Sequence, residues 1–153
     1  MADTYTQIHL HIVFAVQGRA SLIPSSQADT LYRYITGIVT QQGQKLLAIN
    51  GMPDHVHLLV GLRADKALSD LVRDVKANSA KFINEQHWLP VKFTWQAGYG
   101  AFSYSASQLP VIIRYIERQQ EHHAKRTFTD EYRLLLDKFG VSYNPEYLFT
   151  APE

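Results

Sequence analysis

The sequence predicts an α+β fold, and three observations predict it. Segments with an apolar residue at every second position alternate with segments in which apolar residues recur every three or four positions. The order of these segments is strand, helix, strand, strand, helix, strand, with further helices after them. Glycine and proline mark most of the junctions. This is the ferredoxin-like (RRM-like) β-α-β-β-α-β plan with added C-terminal helices, in which the first and third strands are neighbours in an antiparallel sheet and two helices cover one face.

Residues 5–16 predict the first strand. Side chains alternate between the two faces of a strand, so Ile12 and Phe14 share one face. His9 and His11 share the other face. We therefore expect one apolar face and one face that carries histidines.

Two helices are predicted by apolar residues at helical spacing. Ser25 or Ser26 caps the first, which runs to about Gln42, and the second covers residues 65–84. The expected buried stripes are Leu31, Tyr34, Ile35, Ile38 and Val39 in the first helix and Leu68, Leu71, Val72, Val75 and Phe82 in the second.

The chain between these helices predicts a hairpin. Residues 45–50 form one strand, 51–54 a turn and His55–Gly61 the other strand. The apolar residues that alternate with the histidines would face the helix-covered core. His55 and His57 are therefore expected together on the open face of the sheet.

The last third of the chain predicts one more strand and two helices. Residues 91–104 are strand-like, but two glycines interrupt them, which indicates a bulge, bend or hairpin. Ser107 caps a helix that reaches about His123. A last helix covers 128–139, and the tail over 141–153 is irregular.

Length and composition favour one globular domain. The 153 residues are 46% hydrophobic, which is enough for a core. We expect a single domain over 1–153, with a core over about 5–124 and a helix and tail over 125–153 for packing or dimerisation. Neither a signal-peptide pattern nor an apolar run of ~20 residues is present, so a cytoplasmic protein is the default expectation.

The histidines and the lack of cysteine restrict the possible chemistry. The sequence has seven histidines and no cysteine. The lack of cysteine excludes disulfides, thiolate zinc sites and cysteine nucleophiles. His55 and His57 on one strand face can converge on a divalent ion such as Mg²⁺ or Mn²⁺. His9 and His11 have the same spacing, so spacing alone leaves both the choice of pair and a simple solvated face open.

A tyrosine on the helix after Ser107 is a candidate nucleophile. Tyr115 and Gln119 are one helical turn apart, and His122 follows on the same side. A phenol can attack an electrophile that a metal activates. A tyrosine at the boundary of an amphipathic helix is also common, so the pattern alone leaves both interpretations open.

Basic residues near aromatic residues suggest contacts to a single nucleic-acid strand. The formal net charge is only +1, so phosphate binding must be local. Phosphate contacts combined with base stacking are how single strands are held. The candidate DNA-binding residues are Arg73, Lys76, Lys81 and Arg118.

Several motifs together resemble a known family. Residues 52–60 (MPDHVHLLV) resemble the HUH motif of the single-tyrosine transposases of the insertion-sequence TnpA type, the IS200/IS605-like family. Residues 115–119 (YIERQ) resemble its tyrosine helix. Residues 11–14, 75–79 and 95–99 agree further, and the blocks span about 8–123 in the family's order.

The resemblance implies a site and a mechanism. His55, His57 and Gln119 would hold one Mg²⁺ or Mn²⁺ ion at a scissile phosphate of single-stranded DNA. Tyr115 would attack, form a 5′-phosphotyrosine link and free a 3′-OH, and a second transesterification would rejoin strands. Family members are homodimers that recognise DNA hairpins at the ends of their elements. The resemblance also favours His55 and His57 over His9 and His11.

Two alternatives belong to other classes. A non-catalytic RRM-like module would bind single-stranded nucleic acid by stacking bases on its sheet face. A metal-dependent hydrolase would use the histidines without Tyr115 as nucleophile.

Overall fold

The computed structural model of the chain describes residues 3–144. The strands and helices of this range follow one another as β1 (His9–Ala15), α1 (Ala28–Gln41), β2 (Lys45–Met52), β3 (His55–Gly61), α2 (Leu68–Gln86), β4 (Gly100–Tyr104), α3 (Leu109–Glu117), α4 (Gln119–His123) and α5 (Phe128–Lys138). The order confirms the predicted α+β plan with added helices. Most of the predicted irregular tail, residues 145–153, lies outside the described range.

The four strands form one antiparallel sheet in the order β2-β3-β1-β4. The central pair is β1 and β3, as the ferredoxin-like plan requires. Val13 lies opposite His57, and Ala15 lies opposite His55. The register therefore places the predicted histidine pair in the middle of the sheet.

One face of the sheet packs against α1 and α2. Buried apolar side chains of β1, β3 and both helices form its core, including Ile12, Phe14, Val56, Leu58 and Leu71. Three expected members of the helical stripes, Tyr34, Leu68 and Phe82, are less buried. Tyr34 and Phe82 stack on each other with ring centroids 4.0 Å apart.

The other face is not open, and this part of the prediction is wrong. Helices α3, α4 and α5 cover it, with Ile116 and Leu135 packed against Val13, Leu59 and Phe102. The physical reason is that α3 and α5 each carry an apolar stripe of their own, which is buried only by packing on this face. Both faces of the sheet are therefore covered.

Several element boundaries differ from the predictions. Residues Ser25–Gln27 form a 3₁₀ turn before α1, and neither serine caps the helix. A similar turn, Ala106–Gln108, precedes α3; there Ser105 N–H donates to Gln108 Oε1 (3.0 Å), so Ser107 is not the cap. Such turns often begin α-helices.

The strand predicted over 91–104 is shorter. Only Gly100–Tyr104 is a strand, while Trp95 makes a single bridge to Val16. A Cβ at Gly100 would lie 2.6 Å from the Tyr132 ring, so glycine allows α5 to approach β4. No helix within residues 3–144 is long and apolar enough to cross a membrane.

Candidate active site

Strand β3 places His55 and His57 together beneath α3, α4 and α5. The two residues are two positions apart, so both side chains point to that face. Each has 0% exposure, and their ring centroids are 5.0 Å apart. The pair predicted from the sequence is therefore brought together, but in a buried site.

The turn before β3 fixes His55. A Cβ at Gly51 would lie 2.2 Å from the His55 carbonyl oxygen, so the hairpin requires glycine there. Val16 N–H donates to the Asp54 carbonyl (2.9 Å), and the Asp54 carboxylate accepts from His55 Nδ1 (2.7 Å). Burial lowers the pKa of His55, but hydrogen bonds with Asp54 and Glu131 outweigh it and raise the pKa.

His11 lies directly behind His57. His11 Nε2 and His57 Nδ1 are 2.7 Å apart, and the rings stack with centroids 4.9 Å apart. Burial lowers the pKa of His57 to about 4 and that of His11 well below its usual value. Two neutral rings therefore share one N–H. His9, at the start of β1, is only half-buried.

A break between α3 and α4 aims Gln119 into the site. The predicted continuous helix is wrong, because Arg118 leaves the helical conformation (φ −103°, ψ 28°). Asn50 Nδ2 donates to the last two carbonyls of α3, each at 3.0 Å. This side chain on β2 replaces backbone hydrogen bonds that a continuous helix would make. Gln119 is fully buried, with Oε1 3.2 Å from His55 Nε2.

Tyr115 lies at the edge of the same cluster. Its ring centroid is 6.0 Å from that of His57 and 4.6 Å from that of His122, which confirms the predicted shared side. Its hydroxyl donates to Glu131. Burial and the Glu131 carboxylate both raise the pKa of Tyr115, so the resting hydroxyl is protonated.

Glu131 on α5 is the member of the site that sequence reasoning missed. Its Oε1 accepts from His57 Nε2 (2.9 Å) and His123 Nε2 (3.0 Å) and lies 3.5 Å from His55 Nε2. Burial would raise the pKa of Glu131, but hydrogen bonds from the three histidines outweigh it and hold the pKa low. One signal was available: Glu131 lies within the apolar stripe of its helix, beside Phe128.

The donor set fits a divalent cation. His55, His57 and Glu131 present ligand atoms that all lie within 4.8 Å of one another. Neighbouring ligands of an octahedral ion with bonds of about 2.1 Å lie about 3 Å apart. The 3.2 Å between His55 Nε2 and Gln119 Oε1 matches this spacing. Nitrogen and oxygen donors of this kind suit Mg²⁺, Mn²⁺ and related ions.

The four candidate DNA-binding cations are not brought together. Arg73, Lys76 and Lys81 lie on α2, behind the apolar face of the sheet, and only Arg118 lies beside the cluster. Lys76 Nζ donates to the carbonyls of Gln96 (2.9 Å) and Gly98, so it already holds the loop before β4.

The sheet, the buried His-x-His pair and the helical tyrosine define the class that the sequence resembles, the single-tyrosine transposases. Comparison with family models agrees, because the family described as IS200-like transposases matches residues 4–119. The chain therefore belongs to the IS200-like transposase family, whose members are DNA-cleaving enzymes.

Individual relatives support the same assignment. The ISDra2 transposase TnpA of Deinococcus radiodurans is 28% identical over 122 residues, covering 75% of this chain and 86% of the relative. A crystal structure of a transposase from D. radiodurans R1 has a TM-score of 0.63 at 27% identity and covers 78% of this chain and 95% of that one. A REP-associated tyrosine transposase bound to a REP hairpin has the same fold (TM-score 0.61, 16% identity, 100% and 96% covered).

Proposed function

We propose that this transposase cleaves and rejoins single-stranded DNA at the ends of its element through a 5′-phosphotyrosine intermediate on Tyr115. The observation that supports the proposal is the set of contacts made by the Glu131 carboxylate. The Tyr115 hydroxyl and His57 Nε2 both bond to Glu131, and Gln119 bonds to it as well. The candidate nucleophile and the candidate metal ligands thus lie around a single point.

His55, His57 and Gln119 would hold the ion, Mg²⁺ or Mn²⁺. When bound, it would polarise the scissile phosphate and stabilise the charge that develops there. Hydrogen bonds at the Nδ1 atoms would keep each Nε2 directed at the ion: His55 Nδ1 donates to the Asp54 carboxylate, and His57 Nδ1 shares a proton with His11 Nε2.

Tyr115 would perform the covalent step. Its phenolic oxygen forms a bond to phosphorus while the bond from phosphorus to the 3′ oxygen breaks, and the phenolic proton ends on the released 3′-OH. The second transesterification reverses this with another 3′-OH, so no external energy source is required.

A groove beside Tyr115 offers a path for the strand. It has a volume of about 370 Å³ and lies between α3 and α5, where Arg126 and Lys138 contribute to its lining. Val111 and Leu134 add exposed apolar surface from the two helices. Cations with apolar side chains between them suit a single strand, which offers phosphates and unpaired bases.

The proposed partners are a DNA hairpin and a second copy of the chain. We propose that the substrate carries a hairpin, since the neighbour of the same fold is bound to a REP hairpin, and that the enzyme acts in the cytoplasm as a homodimer, as the family resemblance implies. An RRM-like module is disfavoured, because α3, α4 and α5 occupy the sheet face on which bases would stack.

The test is covalent trapping. Wild-type protein, Mn²⁺ and labelled single-stranded DNA from the element's ends should give a labelled species that survives SDS. Tyr115→Phe should abolish this species while leaving DNA binding intact, because only the nucleophilic oxygen is lost. Tyr34→Phe, the same chemical change on the other side of the sheet, is the matched control. Cleavage retained by Tyr115→Phe would overturn the nucleophile assignment and favour the hydrolase alternative.

A further inference from the structure

Glu131 is the only carboxylate among the buried residues of the range 3–144. It belongs to α5, beyond the residues that the family matches, and its side chain is 4% exposed. Helix α5 is well anchored: Thr127 caps it by accepting from Asp130 N–H (3.2 Å), and Arg19 donates to Thr129 Oγ1 (2.7 Å). Glu131 therefore reaches the site from a fixed element.

The two oxygens of Glu131 have different neighbours. Oε1 lies within 3.5 Å of the Nε2 atoms of His55, His57 and His123. Oε2 accepts from the Tyr115 hydroxyl and from Gln119 Nε2 (3.2 Å). One oxygen thus lies among the candidate metal ligands, and the other lies at the candidate nucleophile.

Metal binding changes what this carboxylate can contact. A histidine that ligates through Nε2 has no proton on that atom. His55 and His57 would then face Glu131 Oε1 with lone pairs and could no longer donate to it. A buried carboxylate held 2.9 Å from such a lone pair is repelled unless a cation lies between them. If Oε1 itself binds the cation, the carboxylate can stay at this short distance from the two histidines.

We propose that Glu131 is a further protein ligand of the metal through Oε1 and that it positions Tyr115 through Oε2. The inference rests on the proposed function and deepens it. The same carboxylate would hold the Tyr115 hydroxyl at a fixed distance from the ion before DNA arrives. Helix α5 then completes the site and is more than a packing element.

The first test measures metal affinity without DNA or turnover. Mn²⁺ is titrated into the full-length protein by calorimetry. Glu131→Gln should lower the affinity on the order of tenfold or more, because an uncharged amide is a weaker ligand. Asp130→Asn makes the same charge change on the adjacent, exposed residue of α5 and should leave the affinity unchanged. Wild-type affinity in Glu131→Gln would overturn the inference.

A second variant covers the case in which Glu131→Gln does not fold. Glu131→Asp keeps the charge that pairs with the buried histidines but withdraws the carboxylate by one methylene. A ligand role predicts weaker Mn²⁺ binding and a smaller rise in melting temperature on adding Mn²⁺. A purely structural role predicts wild-type values for both, and that result would overturn the inference.

The positioning role needs its own measurement. With Mn²⁺ saturating, Glu131→Asp should slow formation of the covalent adduct while the Kd for single-stranded DNA stays unchanged. An unchanged adduct rate at saturating metal would remove the positioning role.

His57→Ala separates the two proposals. If it abolishes Mn²⁺ binding while both Glu131 variants bind like wild type, only the role of Glu131 fails. If wild type itself binds no Mn²⁺ and forms no adduct, the proposed function and this inference fail together.

Discussion

The two faces of the sheet are built from alternate residues of the same strands, and both bury apolar side chains, but the face towards α3, α4 and α5 also buries a cluster of polar ones. Towards α1 and α2, β3 presents Val56, Leu58 and Val60, which lie in an apolar core. Towards α3, α4 and α5, the same strand presents His55 and His57, which are equally buried. One face is an apolar core, and the other contains a polar cluster.

The difference separates stability from function. Polar groups buried without partners cost free energy. Even a well-paired buried ion pair often stabilises a protein no more than apolar side chains of similar volume would. Stability therefore does not explain why imidazoles, an amide and a carboxylate meet under α3, α4 and α5. Apolar clusters on both faces stabilise the fold, and we attribute the polar cluster on the second face to the proposed chemistry.

Adjacent residues of β3 give the strongest test of this separation. His57→Ala should reduce metal-dependent adduct formation by roughly a thousandfold or more, because it removes one member of a unit that acts together. Leu58→Ala should instead lower the free energy of unfolding by about 2–5 kcal/mol through loss of buried surface and a cavity. Adduct gels and denaturant unfolding in chelator measure the two effects.

The outcome for Leu58→Ala is informative in its own right. The folded fraction of this variant should form adduct at nearly the wild-type rate, since Leu58 faces α1 and α2. A loss of activity per folded molecule as large as that of His57→Ala would show that the two faces are not separable.

Asp54→Asn tests the polar face one residue away from the proposed metal site. The asparagine oxygen can still accept from His55 Nδ1, but the charge that raises the pKa of His55 is gone. Mn²⁺ affinity and adduct rate should each fall by about 10- to 100-fold, the usual effect of changing a partner behind a metal ligand. The fold should be retained, because Asp54 is 26% exposed.

The control for this variant is Asp65→Asn. Asp65 is 74% exposed and pairs with Arg63 at the surface, so both measurements should match wild type. Equal Mn²⁺ affinity in Asp54→Asn and wild type would mean that the Asp54–His55 bond fixes the turn and nothing more.

The sequence predicted the apolar face better than the polar one, for physical reasons. Period-two and helical patterns report which residues avoid water, so β1, β3, α1 and α2 were predicted closely. The same patterns do not report which helix covers which face. The histidine face was therefore expected to be open, although α3, α4 and α5 bury it.

The missed features of the site depend on contacts between distant residues. The break at Arg118 depends on Asn50, a residue of β2 whose side chain donates hydrogen bonds to the last two carbonyls of α3. Glu131 reaches the histidines only because α5 folds back over β3, and no local pattern contains that information. His55, His57, Tyr115 and Gln119 could be predicted as site residues because they lie in short sequence motifs that resemble those of a known family.

The smallest expected effect concerns DNA affinity. The distribution of basic residues in the sequence suggested both Arg73 and Arg118 as DNA contacts, but the structure places them on opposite sides of the sheet. Arg73 also pairs with Asp70 and Asp74, each at 3.2 Å, which offsets its charge. Arg118 precedes Gln119, is 61% exposed and makes a longer pair of 4.0 Å with Glu121, so it can contact a phosphate near the site.

Salt dependence of binding to single-stranded DNA distinguishes these two arginines. Each lost phosphate contact lowers the slope of log K against log salt by about 0.7, because fewer counterions are released. Arg118→Ala should show this change with a several-fold weaker Kd, and Arg73→Ala should show neither. Equal changes in both variants would mean that the strand also runs along α2, and the division of the sheet into a structural and a functional face would then hold for catalysis but not for binding.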